Sequence, residues 1–204
     1  IGSGITSIGE YAFAGSSALT SVQIPAGVTQ IEDYAFANCS ALPAITLPIG
    51  VTEIEKGVFL NCSSLRSVTL PQGMQKVGDG AFANCTSLPS ITLPLGLREI
   101  EKGAFSGCTS LASVSFPAAG LTDIDEGAFY GCTALKAATL PLGLREIDKN
   151  AFWGCTSLTN VSIPASVTEI KSGAFGGCTG LRSVTVGWTV PPMPRYPIFP
   201  SVPV

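Results

Sequence analysis

The chain has no histidine, and charged residues make up only 12% of its 204 positions. Without histidine, Ser-His and Cys-His nucleophile pairs are excluded, and most zinc sites with them. No GxGxxG, P-loop or GxSxG motif occurs, so the common nucleotide-binding and hydrolase signatures are missing. No apolar run reaches the roughly 18 residues that a membrane-spanning helix needs. A net charge of −3 leaves no basic footprint for nucleic acid. The chain opens on Ile1, partway through a repeat. It therefore reads as a piece of a longer protein whose signal or anchor lies outside it.

What is present is apolar and periodic. Hydrophobic residues make up 46%, enough for a sizeable core. The cysteines fall at Cys39, Cys62, Cys85, Cys108, Cys132, Cys155 and Cys178, with successive spacings of 23, 23, 23, 24, 23 and 23. A fixed period in this range predicts a solenoid. Units start at Leu19, Leu42, Leu65, Leu88, Leu111, Leu135, Leu158 and Leu181, the last one degenerate. Residues 5–18 form a partial first unit in which Ser16 replaces the cysteine, and the extra residue of the longer unit lies in Pro117–Ile124. Residues 1–186 are thus one repeat domain. Residues 187–204, with six prolines, change composition sharply and read either as a cap over the last rung or as a linker.

Each unit has the same local logic. A stretch such as Ser67–Pro71 (SVTLP) alternates and is β-branched, which predicts a short strand with Val68 and Leu70 inward. Proline ends it because it has no N–H for the ladder. A second short extended piece is expected around Val167–Ile170, followed by a tight turn or single helical turn at the Ala-Phe pair. One unit alone cannot bury its apolar side; rungs stacked about 4.8 Å apart can. The cysteines then form a ladder of buried thiols. Parallel neighbours do not present the facing, close Cβ atoms of a disulfide, and cysteines in a line lack the tetrahedral cluster of a metal site. On this view Cys108→Ser destabilises by about 1–3 kcal/mol, because it buries an unpaired hydroxyl.

The recurring frame CTSLxSVxIPxxVTxIxxxAFxxC, as in Cys155–Cys178, resembles the BspA-type leucine-rich repeat, also called the Treponema pallidum type, over residues 5–186. The resemblance implies a right-handed leucine-rich-repeat solenoid with short parallel β-strands, 23-residue repeats and little helix. It also implies export and display at a cell surface, most often bacterial. The implied work is adhesion, through matrix proteins such as fibronectin and fibrinogen or through other cells. The family brings no catalytic motif, so the expectation is a monomeric, non-enzymatic protein without cofactor or metal, binding a protein or glycan. The competing reading is an architectural spacer within a larger surface protein.

Three surfaces are candidates. Outward strand positions form one row of Gln23, Thr46, Thr69, Thr92, Ser115, Thr139, Ser162 and Thr185, and a second row from Ser21 to Ser183. They suit exposed strand positions structurally, or they offer a flat hydrogen-bonding face to a partner. The position after Ala-Phe is mostly small but holds Tyr130 and Trp153 in adjacent units. These aromatics read either as a protein or sugar contact or as a shield over a local gap. All the acidic residues, including Glu53/Glu55, Glu99/Glu101, Asp123/Asp125 and Glu146/Asp148, fall between the strand proline and Ala-Phe. They are expected to form a solvated stripe of mixed charge. Asn38, Asn61 and Asn84 sit in sequons whose middle residue is the buried cysteine, and are expected to cap turns.

Overall fold

The computed structural model describes residues 2 and 4–188. All of the proline-rich tail except Gly187 and Trp188 lies outside the described residues, and with it the choice between cap and linker. Trp188 itself is half-buried against the end of the core.

Among the described residues there is no helix, only short strands and turns. In chain order the strands are β1 (Ser7–Ile8), β2 (Gln30–Ile31), β3 (Ala44–Thr46), β4 (Glu53–Ile54), β5 (Ser67–Thr69), β6 (Lys76–Val77), β7 (Ser90–Thr92), β8 (Glu99–Ile100), β9 (Ser113–Ser115), β10 (Asp123–Ile124), β11 (Ala137–Thr139), β12 (Glu146–Ile147), β13 (Asn160–Ile163), β14 (Glu169–Ile170) and β15 (Ser183–Val186). Every pairing is parallel and in register with the repeat, for example Thr46 with Thr69 and Ile124 with Ile147.

The longest ladder is made by two-residue strands: β4, β6, β8, β10, β12 and β14 form one six-stranded sheet, with β1–β2 a separate pair. The longer strands break into β3–β5, β7–β9 and β11–β13–β15. Two causes are visible in the sequence. Where a rung is bonded, the residue before the strand donates its N–H to the rung below, as Arg66 does to the Pro43 carbonyl. Pro43 and Pro89 occupy that position before β3 and β7 and have no N–H to give. The break between β9 and β11 adjoins the extra residue at Pro117–Leu121. That residue is absorbed in a bend, with Gly120 at φ 98°, and Asp123 still pairs with Glu99 and Glu146.

The third side of the coil is the Ala-Phe turn, which carries its own ladder. The N–H of Phe13, Phe36, Phe59, Phe82, Phe105, Phe129 and Phe152 each donates to the carbonyl one unit on, at 2.7–3.0 Å. Their rings stack through the core from Phe13 to Phe175 with centroids 5.1–5.8 Å apart. Leucine, isoleucine, valine and alanine columns fill the remaining interior, and among the described residues no polar or charged residue is buried.

All seven cysteines are buried and unbridged. They are also bonded. Each Sγ donates to the carbonyl of the phenylalanine in the preceding unit, at 3.1–3.3 Å, from Cys39 on Phe13 to Cys178 on Phe152. The same carbonyls also receive the N–H three residues on, from Ser16 at Phe13 and from the unit's own cysteine at the others, as Phe82 does from Cys85 at 3.1 Å. Burial pushes the thiols of Cys39, Cys62, Cys85, Cys108 and Cys132 up, Cys62 and Cys108 to about 12, so these remain protonated donors at neutral pH.

This corrects the expectation for Cys108→Ser, since a hydroxyl there meets the Phe82 carbonyl and is not unpaired. We expect Cys108→Ser and Cys108→Ala each to lower stability by about 1–2 kcal/mol in urea unfolding, with serine no worse than alanine. A serine several kcal/mol worse would mean that the hydroxyl finds no acceptor. Thiol reagents should leave the native protein unlabelled and react with it in urea.

Candidate binding surface

The longer strands present Thr46, Thr69, Thr92 and Thr139 to solvent in one row with Ser115, Ser162 and Thr185, all exposed. Register fixes the alignment within each bonded group: Thr46 beside Thr69, Thr92 beside Ser115, and Thr139, Ser162 and Thr185 in sequence. The side chains on this wall are short and neutral apart from Arg66, Lys136 and Arg182 at its margin. Near the N-terminal end it dips into a shallow hollow of about 740 Å³ bordered by Val22, Gln23, Ile24, Ala44 and Thr46.

Tyr130 and Trp153 stand on a different wall, at the Ala-Phe turn, so they do not join the threonine row. Both are substantially exposed, at 45% and 40%. Trp153 leans onto the following unit, where a Cβ on Gly176 would come within 2.1 Å of the indole. Glycine at that position is what lets the ring lie flat, so part of the tryptophan serves packing. A similar contact escapes sequence reading at the other end. Tyr34 lies across Gly57, whose added Cβ would sit 2.3 Å from the ring, and Tyr11 stacks on Tyr34 at 5.1 Å with 4° between the planes. Lys56 Nζ stands 5.9 Å from the Tyr34 centroid. Tyr11 and Tyr34 have φ of 54° and 56°, in a column otherwise held by Gly57, Gly80, Gly103, Gly127, Asn150 and Gly173. Tyrosine in left-handed backbone is strained by on the order of 1 kcal/mol. The signal was present as YAF twice, where later units read GAF, GVF or NAF.

Asn38, Asn61 and Asn84 also adopt left-handed backbone, with φ of 59–61°. Their side chains do not cap local turns as expected. Asn61 Nδ2 donates to Asn38 Oδ1 and Asn84 Nδ2 to Asn61 Oδ1, each at 2.9 Å. With Ser40, Ser63 and Thr86 they border a shallow groove of about 500 Å³.

The acidic stripe is laced by lysines: Lys102 pairs with Glu126 at 3.1 Å, and two others bridge more than one carboxylate. Lys76 Nζ lies 3.5–3.6 Å from Glu53, Glu55 and Glu101. Lys171 pairs with Glu146 and Asp148. Asp148 is held below its ordinary value: burial pushes it up, but the Lys149 N–H and the Lys171 ammonium outweigh that. Asp125, between Lys76 and Lys171 along the stripe, is pushed up to about 6, first by burial and then by the charges of Asp148, Asp123, Glu101 and Asp79. Lys171 is raised by its carboxylate partners.

Stacked parallel coils with a 23-residue period define a leucine-rich-repeat solenoid. The family model described as the BspA type leucine rich repeat region matches six copies, over residues 1–94 and 75–196. The chain belongs to the BspA-type leucine-rich-repeat family. Among solved structures it is similar to a leucine-rich repeat protein from Bacteroides ovatus, with 28% identity and a TM-score of 0.57 over 90% of this chain and 59% of that one. It is likewise similar to the T. pallidum leucine-rich repeat protein, with 26% identity and a TM-score of 0.55 over 82% of this chain and 64% of that one. The chain therefore spans about three fifths of the length of these two relatives. Comparison with curated proteins gives no significant match.

Two outcomes follow from the geometry. Asp125 ordinarily titrates near 3.8 and in the fold near 6. Between these values the folded chain holds a proton that the unfolded chain has lost, so stability falls as pH rises through that window. Asp125→Asn should remove this fall and be about 1 kcal/mol more stable at pH 7, after discounting for partial exposure. Urea unfolding of both proteins at pH 3 and 7 measures it, and the two should agree at pH 3. Trp153→Ala should lose about 1–2 kcal/mol from contact with the Gly176 rung, where a fully free side chain would lose almost nothing.

Proposed function

We propose that this chain is a non-enzymatic, protein-binding module of an exported surface protein, working in adhesion through the threonine- and serine-lined strand wall. The observation that carries this reading is the row itself: short, uncharged, exposed side chains repeated rung after rung on a rigid support. Away from Arg66 and Arg182 at the margin, its rows hold none of the tryptophan or arginine anchors that concentrate binding energy. Affinity would be gathered over several units, with hydrogen bonds as the main currency of recognition, and a protein of the fibronectin or fibrinogen kind or a glycan is a suitable partner. Membership of a repeat family whose fold serves protein–protein contact supports the same direction. Tyr130 and Trp153 form a second contact area on the turn wall. Residues 1–186 would be the binding unit and residues 187–204 a cap or linker.

The test is binding of residues 1–204 to a panel of matrix proteins and glycans, in parallel with Thr69→Arg/Thr92→Arg and with Tyr130→Ala/Trp153→Ala. Micromolar binding lost in the threonine variant and kept in the aromatic variant is the expected result. Loss in the aromatic variant alone would move the site to the turn wall. No binding in the unmodified chain would overturn the adhesion reading and leave an architectural spacer.

A further inference from the structure

Three large apolar side chains stand out from the corner that follows the strand proline. Ile49, Leu95 and Leu142 are 84%, 71% and 77% exposed, more than any other large apolar side chain of the described residues. Each comes seven residues after its unit's leading leucine, in the second, fourth and sixth units. The units between them place Gln72 and Ala118 there, so the row has a tooth on every second rung and a gap on the rung between. Rungs stack about 4.8 Å apart, which sets the teeth about 9.6 Å apart. Trp188 holds the same position in the eighth unit. The chain therefore leaves the described solenoid at the end of this row.

The sequence that follows has a matching period. In residues 189–204 proline recurs every third residue, at Pro191, Pro194, Pro197, Pro200 and Pro203. The residue before each is apolar: Val190, Met193, Tyr196, Phe199 and Val202. Proline at this spacing favours the polyproline II helix, with three residues per turn and about 3.1 Å per residue. Its apolar stripe then repeats about every 9.3 Å, close to the spacing of the teeth. The reach is also sufficient. From the eighth rung back to the second is about 29 Å, and sixteen residues of this helix span about 50 Å.

We propose that the Ile49–Leu95–Leu142 row is the docking surface for the chain's own residues 189–204, which run back along the corner with their apolar stripe set between the teeth. The proposal is independent of the partner reading for the strand wall. It accounts for exposed leucine and isoleucine at a corner where alanine and glutamine serve the fold equally well.

Arg195 is the one lysine or arginine between residues 183 and 204, so trypsin reports on the tail through the Arg195–Tyr196 bond. In the full chain that bond should be cut at least about tenfold more slowly than in a synthetic peptide of residues 189–204. Leu95→Asp/Leu142→Asp should restore the peptide rate, and so should Met193→Ser/Phe199→Ser. The first pair is solvent-exposed, and an unchanged unfolding midpoint verifies that the solenoid is intact. Cleavage of the unmodified chain at the peptide rate would overturn the proposal. So would protection that neither variant relieves. Protection that grows with protein concentration would also overturn it, and would assign the row to the tail of a second copy.

Discussion

The contact on which this solenoid depends is the one between the phenylalanine carbonyl of one rung and the cysteine of the next. That oxygen takes the N–H of its own cysteine and the S–H of the following one, while the phenylalanine N–H bonds forward to the next unit. Three hydrogen bonds therefore meet at each Ala-Phe turn, two of them crossing between rungs. The turn would otherwise place polar backbone against an apolar interior, where an unpaired group costs about 1–3 kcal/mol. Cysteine meets a demand that neither alanine nor valine meets: a small, mostly apolar side chain with one weak donor. The stacked rings then follow from the backbone, since bonded turns hold each phenylalanine directly over the last.

This explains why the strand wall tolerates interruption. If the longer strands held the coil together, Pro43 and Pro89 would each cut it. At Pro89 the break is local because the two-residue sheet and the turn ladder continue past it, as they do past the inserted residue near Gly120; at Pro43, where β2 and β4 are also unpaired, the turn ladder continues. The wall read as the binding surface is thus the least constrained of the three. Its outward positions vary among Thr, Ser, Gln, Ala and Asn without disturbing the core, and its backbone need not be bonded at every rung. Sequence freedom on a rigid support is the combination a recognition surface needs.

The parts legible in the sequence were those repeated in every unit: the 23-residue period, the inward leucine, isoleucine, phenylalanine and cysteine columns, and the outward threonine row. Each is an average over eight examples, so one misread unit matters little. The parts that were not legible depend on the relation between neighbouring units. The asparagine ladder was read as turn capping because local hydrogen bonding is the usual habit of that side chain; stacking made the next asparagine the nearer partner. Trp153 was read by its size, whereas its position is decided by Gly176 one rung on. The lysines at Lys76 and Lys171 gave no sign within their own units that they would each meet carboxylates from the rungs beside them.

Such relations between rungs also reveal a longer period than the cysteines mark. Two residues before Ala-Phe in most units, charge alternates in sign along the chain: Asp33, Lys56, Asp79, Lys102, Glu126 and Lys149. Neighbours of opposite sign are brought together, as Lys102 and Glu126 are at 3.1 Å, and like charges fall two rungs apart, near the screening length of physiological salt. The large apolar residues Ile49, Leu95 and Leu142 follow the same two-rung rhythm, in the units that carry the lysines. The fold itself asks only for a one-unit period, because every rung makes the same core. A doubled period confined to surface positions must therefore answer to something outside the core. Charge alternation has an internal reason, since uniform sign along a ladder would repel. The apolar alternation has none within the solenoid, and that asymmetry is what directs attention to a ligand whose own repeat is near two rungs.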